Sequence, residues 1–351
     1  MITPKTGNLQ KKTLEDYFSV GKKIKIGIVG CGNAAVWIDE RTNKIKKNSF
    51  SHMSVLKKSK NFDVVACCDK DRKRLLDFSK KFGIKYSYTS IKRMISQKKI
   101  DLLLICSPTR FHYAHSKLAL NSKTIKAVIC EKPFGFNYKK AKDLISVFKK
   151  KNKFFIISYQ RRWDNFYERI RKIIKAQKIG KLISVVAQVD RALYQNSSHM
   201  IDLIVSFCGS AKIVNGFLDK TFSPRIVHGF NDYGGYIFIR HKNNIVSFIK
   251  ASTDETSKKY FELELNFTNG RIVIDNDNER FRLYKFREST FFKKYKQLYL
   301  SSNYNNDFKF DRMERMYNFI YKKINSKNTN MPFNIYELIE PLKIINCLRK
   351  N

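Results

Sequence analysis

A glycine-rich stretch after a short apolar run constrains the fold of this chain more than any other feature. The run Ile24–Val29 has the length and character of a buried parallel strand, and Gly30, Gly32 and Ala35 follow it. In such a strand, turn and helix, the first glycine permits a tight turn and the second lets a phosphate group approach the backbone. The small third residue lets the helix pack closely on the strand, and the N–H groups at its start face an anion. The stretch therefore predicts a phosphate-binding turn.

A second apolar run supports this prediction. Phe62–Cys68 ends in Asp69, whose carboxylate is placed to accept hydrogen bonds from the ribose hydroxyls of a dinucleotide. The turn and the acid are separated by roughly 40 residues, rather than the usual 20 or so. We therefore expect an insertion near the cofactor end of the fold, at the polar segment 39–48. The alternative is an ordinary glycine-rich turn with an incidental aspartate.

The charge of the chain is unusual. Its 351 residues include 70 basic and 30 acidic ones, which gives a net charge of +40. Such a field attracts polyanions, so a nucleic-acid binder is one hypothesis. The basic residues are spread over the whole chain without a sustained block, however, and we expect a solvated basic surface and no nucleic-acid partner. The charge also favours a substrate that carries phosphate or carboxylate.

The cysteines and the apolar stretches indicate the compartment. Seven cysteines lie mostly in apolar segments, and no Cys-x-x-Cys pair occurs, so we expect buried thiols in a reducing compartment and no metal site. No apolar stretch reaches the roughly 18 residues of a membrane span, and the N-terminus lacks a signal-peptide core. We expect a cytoplasmic protein without a membrane span, in which residues 1–21 form a leader outside the first domain.

Strand-like and helix-like segments alternate through the first half of the chain. Helical spacing covers 71–82 with Gly83 as a C-terminal cap, and the pattern continues with a helix at 90–97, a strand at 102–106, a helix at 110–121, a strand at 127–130, a helix at 137–150 and a strand at 154–158. This alternation predicts an α/β fold with a doubly wound parallel sheet. Ligands of such sheets lie beyond the carboxyl ends of the strands.

Four motifs in order carry a family resemblance. They are Gly-Cys-Gly-Asn-Ala-Ala at 30–35, Val-Ala-Cys-Cys-Asp at 65–69, Cys-Ser-Pro-Thr-x-x-His at 106–112 and Cys-Glu-Lys-Pro-Phe at 130–134. Together they resemble the glucose-fructose oxidoreductase / inositol dehydrogenase (Gfo/Idh/MocA) family of NAD(P)-dependent oxidoreductases, over about residues 23 to 350. The resemblance implies a Rossmann-type dinucleotide-binding domain at 22–135 and an α+β substrate-binding and oligomerisation domain at 136–351.

The same resemblance implies positions of the cofactor site. Contacts to the cofactor are expected at Gly30, Cys31, Gly32, Asn33, Ala34, Asp69, Lys70, Ser107, Pro108, His112, Glu131 and Lys132. Asp69 would repel the 2′-phosphate of NADP, so we expect NAD as the cofactor, although Lys70 and Arg72 leave NADP open.

The catalytic residues are also implied by the resemblance. It places Lys132 at the nicotinamide and the substrate, and His199 matches the histidine of the family. Alcohol oxidation needs a group that takes the hydroxyl proton, and an imidazole suits this role near neutral pH. We expect His199 to act as general acid/base and Lys132 to stabilise charge on the substrate oxygen. The alternatives are a surface lysine and a structural histidine.

The residues around His199 depart from the family pattern. Gln195 stands where an acid is usual, Asp202 matches the downstream acid, and the substrate loop is short. We expect substrate contacts from Gln195 and Asp202, although Asp202 also fits an interior hydrogen-bonded acid. Ser197 and Ser198 are expected to cap the helix that carries His199.

Tyr159-Gln160-Arg161-Arg162-Trp163-Asp164 resembles the family's entry into the second domain, where a helix at 165–177 follows. Arg162 fits two interpretations equally well, a substrate contact and an ion pair between domains. From residue 212 onwards the pattern becomes rich in strands, at about 212–219, 225–230, 235–240, 245–251, 259–267 and 271–275, after a strand at 183–189. Successive strands without crossover helices predict an open, largely antiparallel sheet.

One face of this sheet must be covered by helices or by another subunit, and the resemblance implies a homo-oligomer, a dimer or tetramer. Residues 285–308 receive no assignment, and two amphipathic helices are predicted at about 310–325 and 334–349. The main hypothesis is an NAD(P)-dependent oxidoreductase that acts on a sugar or nucleotide sugar, with surface-polysaccharide biosynthesis as one role in the family's range. The alternative is a dinucleotide-binding sensor or regulator with reduced catalysis, because Gln195 and the short loop remove groups that an enzyme would use.

Overall fold

The computed structural model describes residues 22–36, 51–190, 192–227, 230–252, 260–305, 311–326 and 329–349. The predicted leader at 1–21 and the predicted insertion at 39–48 lie outside the described residues.

The first half of the chain forms a six-stranded sheet in which every pair of neighbours is parallel. Its strand order is β3-β2-β1-β4-β5-β6. The strands are β1 (Ile24–Val29), β2 (Phe62–Cys68), β3 (Tyr86–Tyr88), β4 (Leu102–Ile105), β5 (Ala127–Cys130) and β6 (Phe154–Ile157). The order reverses direction between β1 and β4, which is the switch point of a Rossmann sheet. The predicted doubly wound sheet is confirmed, although the short β3 was not expected.

Helices connect these strands. They are α1 (Asn33–Val36), α2 (His52–Lys58), α3 (Arg72–Phe82), α4 (Ile91–Gln97), α5 (Thr109–Leu120) and α6 (Tyr138–Lys150). The side chain of Asp71 caps the start of α3, and Gly83 ends it with a φ of 67° in the left-handed region, as predicted. Helix α2 was not predicted because its apolar pattern spans only two turns, but Ser51 and Ser54 form a reciprocal capping box at its start.

The first sheet continues past the boundary that the sequence places between residues 135 and 136. Strand β6 pairs in parallel with β5 from Phe154 to Ile157, so α6 and β6 complete the first domain. The chain also returns to this domain near its end. Met316 and Tyr317 of α9 (Arg312–Asn325) pack in the same buried cluster as Ile26 and Ile28 of β1.

The second sheet has eight strands in the order β16-β15-β14-β13-β7-β12-β11-β8. Its strands are β7 (Leu182–Val189), β8 (Ala211–Asp219), β11 (Gly234–His241), β12 (Val246–Ala251), β13 (Phe261–Phe267), β14 (Gly270–Asp275), β15 (Arg280–Glu288) and β16 (Lys296–Asn305). Only β7 and β12 pair in parallel, so the open, largely antiparallel sheet is confirmed. Within the unassigned stretch, residues 285–305 form most of the β15–β16 hairpin.

The strand predicted at about 225–230 is confirmed only at 225–227. The segment instead provides two short strands, β9 (Arg225–Val227) and β10 (Phe230–Asp232), which pair with each other in an antiparallel ribbon outside the large sheet.

Helices cover one face of the second sheet. The core between them includes Ile204 of α8 (Ser198–Cys208), Ile237 and Ile249 of the sheet, and Ile345 of α10 (Glu340–Leu348). The remaining helical elements are α7 (Asn165–Lys175) and 3-10 turns at Gln160–Trp163 and Ile335–Ile339. On the opposite face, large apolar side chains from four strands are exposed, namely Val186, Ile213, Phe217, Phe238 and Phe248. We call these five residues the open face.

Candidate active site

The glycine turn between β1 and α1 has the geometry of a phosphate cradle. Gly30 has a φ of +92°, and a Cβ atom there would lie 2.5 Å from the backbone carbon of Cys106 and the nitrogen of Ser107. Only glycine therefore fits at this point, where β1 and β4 end side by side. A Cβ built on Gly32 meets no atom within 4 Å outside its own neighbours, which leaves the approach to the backbone open. Asn33 and Ala34 follow, exposed, at the start of α1.

Asp69 fastens this turn to the end of β2. Its carboxylate accepts hydrogen bonds from the Cys31 backbone N–H at 2.8 Å and from the Asp71 N–H at 3.0 Å. The side chain is mostly covered, and Arg74 lies 3.9 Å away. The predicted contact of Asp69 with a ribose remains a prediction. The contact with Cys31 shows that Asp69 shapes the turn.

Cationic and aromatic groups surround the neighbouring start of α5. The ammonium of Lys70 lies 5.3 Å from the centre of the Phe111 ring, which stacks on His115 at 5.7 Å. The Ser107 hydroxyl and His115 Nδ1 are 2.9 Å apart, and burial lowers the pKa of His115 to about 4. These groups lie beyond the ends of β2 and β4, where a planar base would bind in a sheet of this type.

His112 is placed in the interior. Its Nδ1 lies 2.9 Å from the Pro133 carbonyl, and its Nε2 lies 2.6 Å from the Ser107 carbonyl. The ring therefore ties the end of β4, next to Pro108, to the segment that carries Lys132. Because His112 is 1% exposed, this geometry favours a positioning role over the direct cofactor contact that the resemblance implies.

Glu131 has partners that the sequence did not reveal. Its Oε1 lies 2.8 Å from His52 Nε2, and His52 Nδ1 lies 2.8 Å from the Tyr317 hydroxyl. Burial alone would raise the pKa of Glu131, but the hydrogen bond with His52 and the charge of Lys132 lower it. Glu131 is thus an ionised carboxylate beside Lys132. An isolated histidine at the start of a short helix gave no motif from which this contact could have been found.

Lys132 joins the two domains. Its ammonium donates a 2.8 Å hydrogen bond to the carbonyl of Gln195, in a π-helical turn formed by Ala192–Ser197. Asp232 stabilises that turn, because its carboxylate accepts hydrogen bonds from the backbone N–H groups of Tyr194 at 2.9 Å and Gln195 at 3.2 Å. Burial raises the pKa of Asp232 to about 6, against the lowering effect of these two N–H groups. Asp232 was not predicted. The only feature of the sequence that could have indicated Asp232 is its place shortly before the Gly234-Gly235 pair.

His199 follows the π-helical turn, in the first turn of α8. It is half-buried, its ring meets Tyr159 edge-on at 5.6 Å, and within the described residues Nδ1 has no hydrogen-bond partner. Burial lowers the pKa of His199 well below its usual value, and the nearby charges of Lys132 and Arg161 lower it further. His199 is therefore neutral near pH 7, and an uncharged imidazole is able to accept a proton.

Ser197 and Ser198 do not cap α8. Their hydroxyl groups donate backwards, Ser197 to the Ala192 carbonyl at 2.7 Å and Ser198 to the Tyr194 carbonyl at 2.8 Å. The expected capping bonds are absent from this helix start because the preceding π-helical turn continues directly into α8. The two serines instead stabilise the turn that receives Lys132.

Arg162 and Asp202 are placed against each other inside the protein. Arg162 Nε donates to the two carboxylate oxygens of Asp202 at 2.9 and 3.0 Å, and Nη1 donates to Glu337 at 2.8 Å. Both members of the pair have side chains only 1% exposed. Burial raises the pKa of Asp202 to about 6, although Arg162 opposes this change. For Arg162 the geometry favours a structural ion pair over a substrate contact. For Asp202 it favours an interior hydrogen-bonded acid over a substrate contact.

The neighbouring Arg161 belongs to a second buried network. It forms a two-pronged contact with Asp277, through Nε at 3.0 Å and Nη2 at 2.8 Å, and its guanidinium lies over the Phe261 ring. Arg312 of α9 contacts the same Asp277 at 3.0 Å and also Asp164. Burial opposes ionisation of Asp277, but the two arginines hold its pKa well below the usual range. This network fixes the second sheet to the entry of α7.

Three further observations concern the residues that the structure describes. Among the residues that the structure describes, no group of three or more His, Cys, Asp or Glu side chains could hold a metal ion. Within the same residues, none of the helices combines the length and the apolar character needed to cross a bilayer. All seven cysteines are free thiols, and six of them are buried.

Comparison with known proteins agrees with this geometry. Residues 24–159 match the family model GFO_IDH_MocA, described as an oxidoreductase family with an NAD-binding Rossmann fold. The resemblance of the first domain to this family is confirmed. The match covers the glycine turn, Asp69 and the Glu131-Lys132-Pro133 segment, and it ends after β6, in agreement with the extent of the first sheet.

Curated relatives match only part of the chain. Myo-inositol 2-dehydrogenase of Thermotoga maritima is 25% identical over 159 residues, which are 45% of this chain and 42% of that protein. The chain spans about half or less of the length of the curated relatives it matches.

Solved structures match nearly the whole chain in fold. Levoglucosan dehydrogenase in complex with NADH and L-sorbose has a TM-score of 0.74 at 15% identity and covers 94% of this chain and 98% of that one. The WlbA dehydrogenase from Chromobacterium violaceum, in complex with NADH and UDP-GlcNAcA, has a TM-score of 0.72 at 13% identity, with 95% and 94% covered. At these identities the likeness shows the fold alone. Both domains of this chain have the architecture of those solved structures.

Proposed function

We propose that this protein is an NAD-dependent oxidoreductase that transfers hydride to or from a hydroxyl or carbonyl carbon of a sugar or nucleotide sugar. One observation carries the proposal. The ammonium of Lys132 projects from the end of β5 and meets the turn before His199 at 2.8 Å, so the cofactor edge of the first sheet and the second domain share one site. Ligands of this sheet type bind at that edge.

The residues of the first domain fit a dinucleotide. The crowded position of Gly30 and the open approach at Gly32 suit a pyrophosphate, and Asp69 stands where a ribose is expected. When bound there, NAD would supply the hydride acceptor or donor. Relatives named as sugar or inositol dehydrogenases support the substrate class. The complex of WlbA with UDP-GlcNAcA supports a nucleotide sugar and, as the finest part of the proposal, a role in surface-polysaccharide biosynthesis.

His199 and Lys132 divide the remaining chemistry. In the oxidation direction the neutral imidazole of His199 accepts the proton of the substrate hydroxyl, while the carbon gives up a hydride. Lys132 hydrogen-bonds the same substrate oxygen and stabilises the negative charge that develops on it. In the reduction direction the proton moves from imidazolium to oxygen. Gln195, half-buried beside Lys132, is the position we propose for a neutral polar contact to the substrate.

The cofactor preference follows from Asp69. Its carboxylate would repel the 2′-phosphate of NADP, whereas Lys70, Arg72 and Arg74 surround it with positive charge. We expect a larger thermal shift of the purified protein with NADH than with NADPH. Equal shifts, or none with either cofactor, would remove the cofactor assignment.

Turnover separates the proposal from its alternative. We expect Lys132→Met and His199→Asn to abolish turnover in a screen of activated sugars while the NADH-induced thermal shift is retained. Lys126→Met is the matched control, because Lys126 precedes the same strand at its opposite end and its ammonium is exposed. Turnover at the wild-type rate in both variants would exclude these two residues from the chemistry.

A dinucleotide-binding sensor or regulator is the second candidate. The observation that favours it is the hydrogen bond of Lys132 to a backbone carbonyl, at a turn where Gln195 replaces the usual acid. A sensor binds NADH and turns over none of the screened sugars. In that case Lys132→Met changes the NADH affinity or the protein's conformational response. No turnover rate is measured in the wild type or in the variant.

We also propose that the open face is covered by a second copy of this chain and that the protein is cytoplasmic. The five large apolar residues of the open face lie on one exposed sheet face. Singly scattered apolar residues are normal on a surface, whereas such a cluster indicates a contact with another protein. Light scattering after size exclusion should show a dimer or tetramer, and Phe238→Lys should shift it towards monomer. A wild-type monomer at micromolar concentration would contradict the proposal. Free, mostly buried thiols are consistent with a reducing compartment.

A further inference from the structure

The β15–β16 hairpin projects beyond the rest of the second sheet. Strand β14 pairs with β15 only as far as Lys285, whereas β15 continues to pair with β16 up to the pair formed by Glu288 and Lys296. Residues 286–298 therefore form a two-stranded projection closed by a turn at 289–295. We call residues 285–296 the hairpin tip.

Aromatic rings are exposed at the hairpin tip. Phe291 is 83% exposed, Phe292 61% and Tyr295 69%, and the rings of Phe292 and Tyr295 lie 6.4 Å apart. Single exposed apolar residues are common on protein surfaces, but adjacent large rings on a projecting turn indicate a contact surface.

Hydrogen bonds within the turn hold these rings outwards. The Ser289 N–H donates to the Tyr295 carbonyl at 2.8 Å, which closes the turn. The Ser289 hydroxyl oxygen then accepts from the N–H groups of Phe291 at 3.2 Å and Phe292 at 3.1 Å. These three N–H groups of the turn are thus satisfied by its own residues, so exposure of the rings is a property of an ordered element.

The charge of the hairpin tip is strongly positive. Against one acid, Glu288, it carries five basic residues, Lys285, Arg287, Lys293, Lys294 and Lys296. Aromatic rings between lysines are typical of segments that lie at a membrane surface, where the rings sit at the level of the headgroups and the lysines attract anionic lipids.

The hairpin tip lies away from the candidate active site. Strand β7 leads into the site at its Val189 end, whereas Leu182, at its other end, pairs with Phe267. Phe267 pairs with Gly270, and Gly270 pairs with Lys285 at the base of the projection. The tip and the site therefore lie at opposite ends of the sheet, and contact at the tip leaves the site open.

We propose that the hairpin tip docks this protein on an anionic membrane surface. Charge complementarity decides for this partner over a second copy of the chain, because two copies of such a tip would repel each other. It is also favoured over single-stranded nucleic acid, which binds along basic grooves with a series of stacking rings, whereas this tip is a narrow projecting turn. The inference does not rest on the proposed enzymatic function.

The test is co-sedimentation of the full chain with vesicles at physiological salt. We expect binding to phosphatidylcholine vesicles that contain phosphatidylglycerol and little binding to phosphatidylcholine alone. Removal of the rings in Phe291→Ser/Phe292→Ser, or reversal of charge in Lys293→Glu/Lys294→Glu, should weaken binding by about tenfold or more. The matched controls are Phe222→Ser, an exposed ring elsewhere, and Lys149→Glu/Lys150→Glu, two exposed lysines at the end of α6.

The other outcomes overturn the proposal. They are absence of wild-type binding to the anionic vesicles, equal binding by the tip variants and their controls, loss of self-association in the tip variants by light scattering, and tip-dependent binding of a single-stranded oligonucleotide in place of vesicles. An unchanged melting temperature in every variant confirms that the variants are folded.

Discussion

Short hydrogen bonds between backbone groups and residues of the four sequence motifs shape the glycine turn. An example is the 2.8 Å bond from the Cys31 backbone N–H to the Asp69 carboxylate. Beneath His199, by contrast, the support comes from buried charges on distant segments, such as Arg162 with Asp202 and Glu337. The nucleotide side therefore depends on local backbone geometry. The substrate side depends on ion pairs and carboxylate contacts that form only when both domains are folded.

This difference has a physical consequence. A cradle made of backbone N–H groups tolerates many side chains but not a change of backbone conformation at Gly30. A site supported by buried charges tolerates small backbone changes but not the loss of one partner, since the other charge then remains buried without compensation. The following predictions test this contrast, beginning with the largest effect.

Arg162→Leu should destabilise the protein by about 3–5 kcal/mol, because the carboxylates of Asp202 and Glu337 lose their cation. Chemical denaturation measures the loss. The control is Arg271→Leu, whose partner Glu264 is about one third exposed, and it should cost less than about 1 kcal/mol. Replacing Arg162 and Asp202 together by leucine should recover part of the loss. Equal, small losses in both single variants would show that the substrate side does not depend on buried charge.

Gly30→Ala should weaken NADH binding by about ten- to hundredfold, because alanine combines a strained φ with a Cβ atom 2.5 Å from the backbone of Cys106. Titration with NADH measures the change. Gly83→Ala is the control, since its φ of +67° is also positive but its Cβ would meet open space. It should cost about 1 kcal/mol of stability without a change in NADH affinity. If both variants bind NADH equally well, the turn is not the cradle.

The same contrast explains which parts could be predicted from the sequence. Gly30 and Asp69 each follow a buried strand directly, and Lys132 follows one after Glu131, so periodicity and turn residues were enough to place them at one edge of the sheet. His52 lies 79 residues before its partner Glu131, and Asp277 lies 116 residues after Arg161. Such pairs are brought together by tertiary packing alone. Glu131 and Arg161 stand in stretches that resemble the family, but His52 and Asp277 stand in no motif.

The secondary structure follows the same rule. Helices and strands with strong periodicity in the first domain were placed within a few residues, because each forms from its own apolar pattern. The hairpin at 285–305 was not recognised because its outer positions are aromatic or basic on both faces. Exposed rings remove the alternation that identifies a strand.

Asp232→Asn should lower turnover by about tenfold and leave NADH affinity unchanged, because one backbone N–H of the π-helical turn loses its acceptor and Gln195 no longer holds Lys132 in place. Steady-state kinetics on a sugar identified by the screen, together with NADH titration, separates the two effects. Asp219→Asn, an exposed acid that accepts from the Thr221 N–H, is the control and should change neither quantity. An equal fall in NADH affinity and turnover would mean that Asp232 supports the nucleotide side as well.

The smallest expected effect concerns pH. Burial lowers the pKa of His199, so below about pH 6.5 the unfolded chain binds a proton that the folded protein does not bind, and stability falls as the pH decreases. His199→Gln removes this term. Between pH 7 and pH 5.5 the wild type should lose about 1 kcal/mol of unfolding free energy relative to this variant, with no relative change above pH 7. Denaturation of both proteins at each pH measures it. Parallel pH profiles would show that His199 takes up a proton in the folded protein as easily as in water, and the substrate side would then lack the buried positive field that keeps this imidazole neutral.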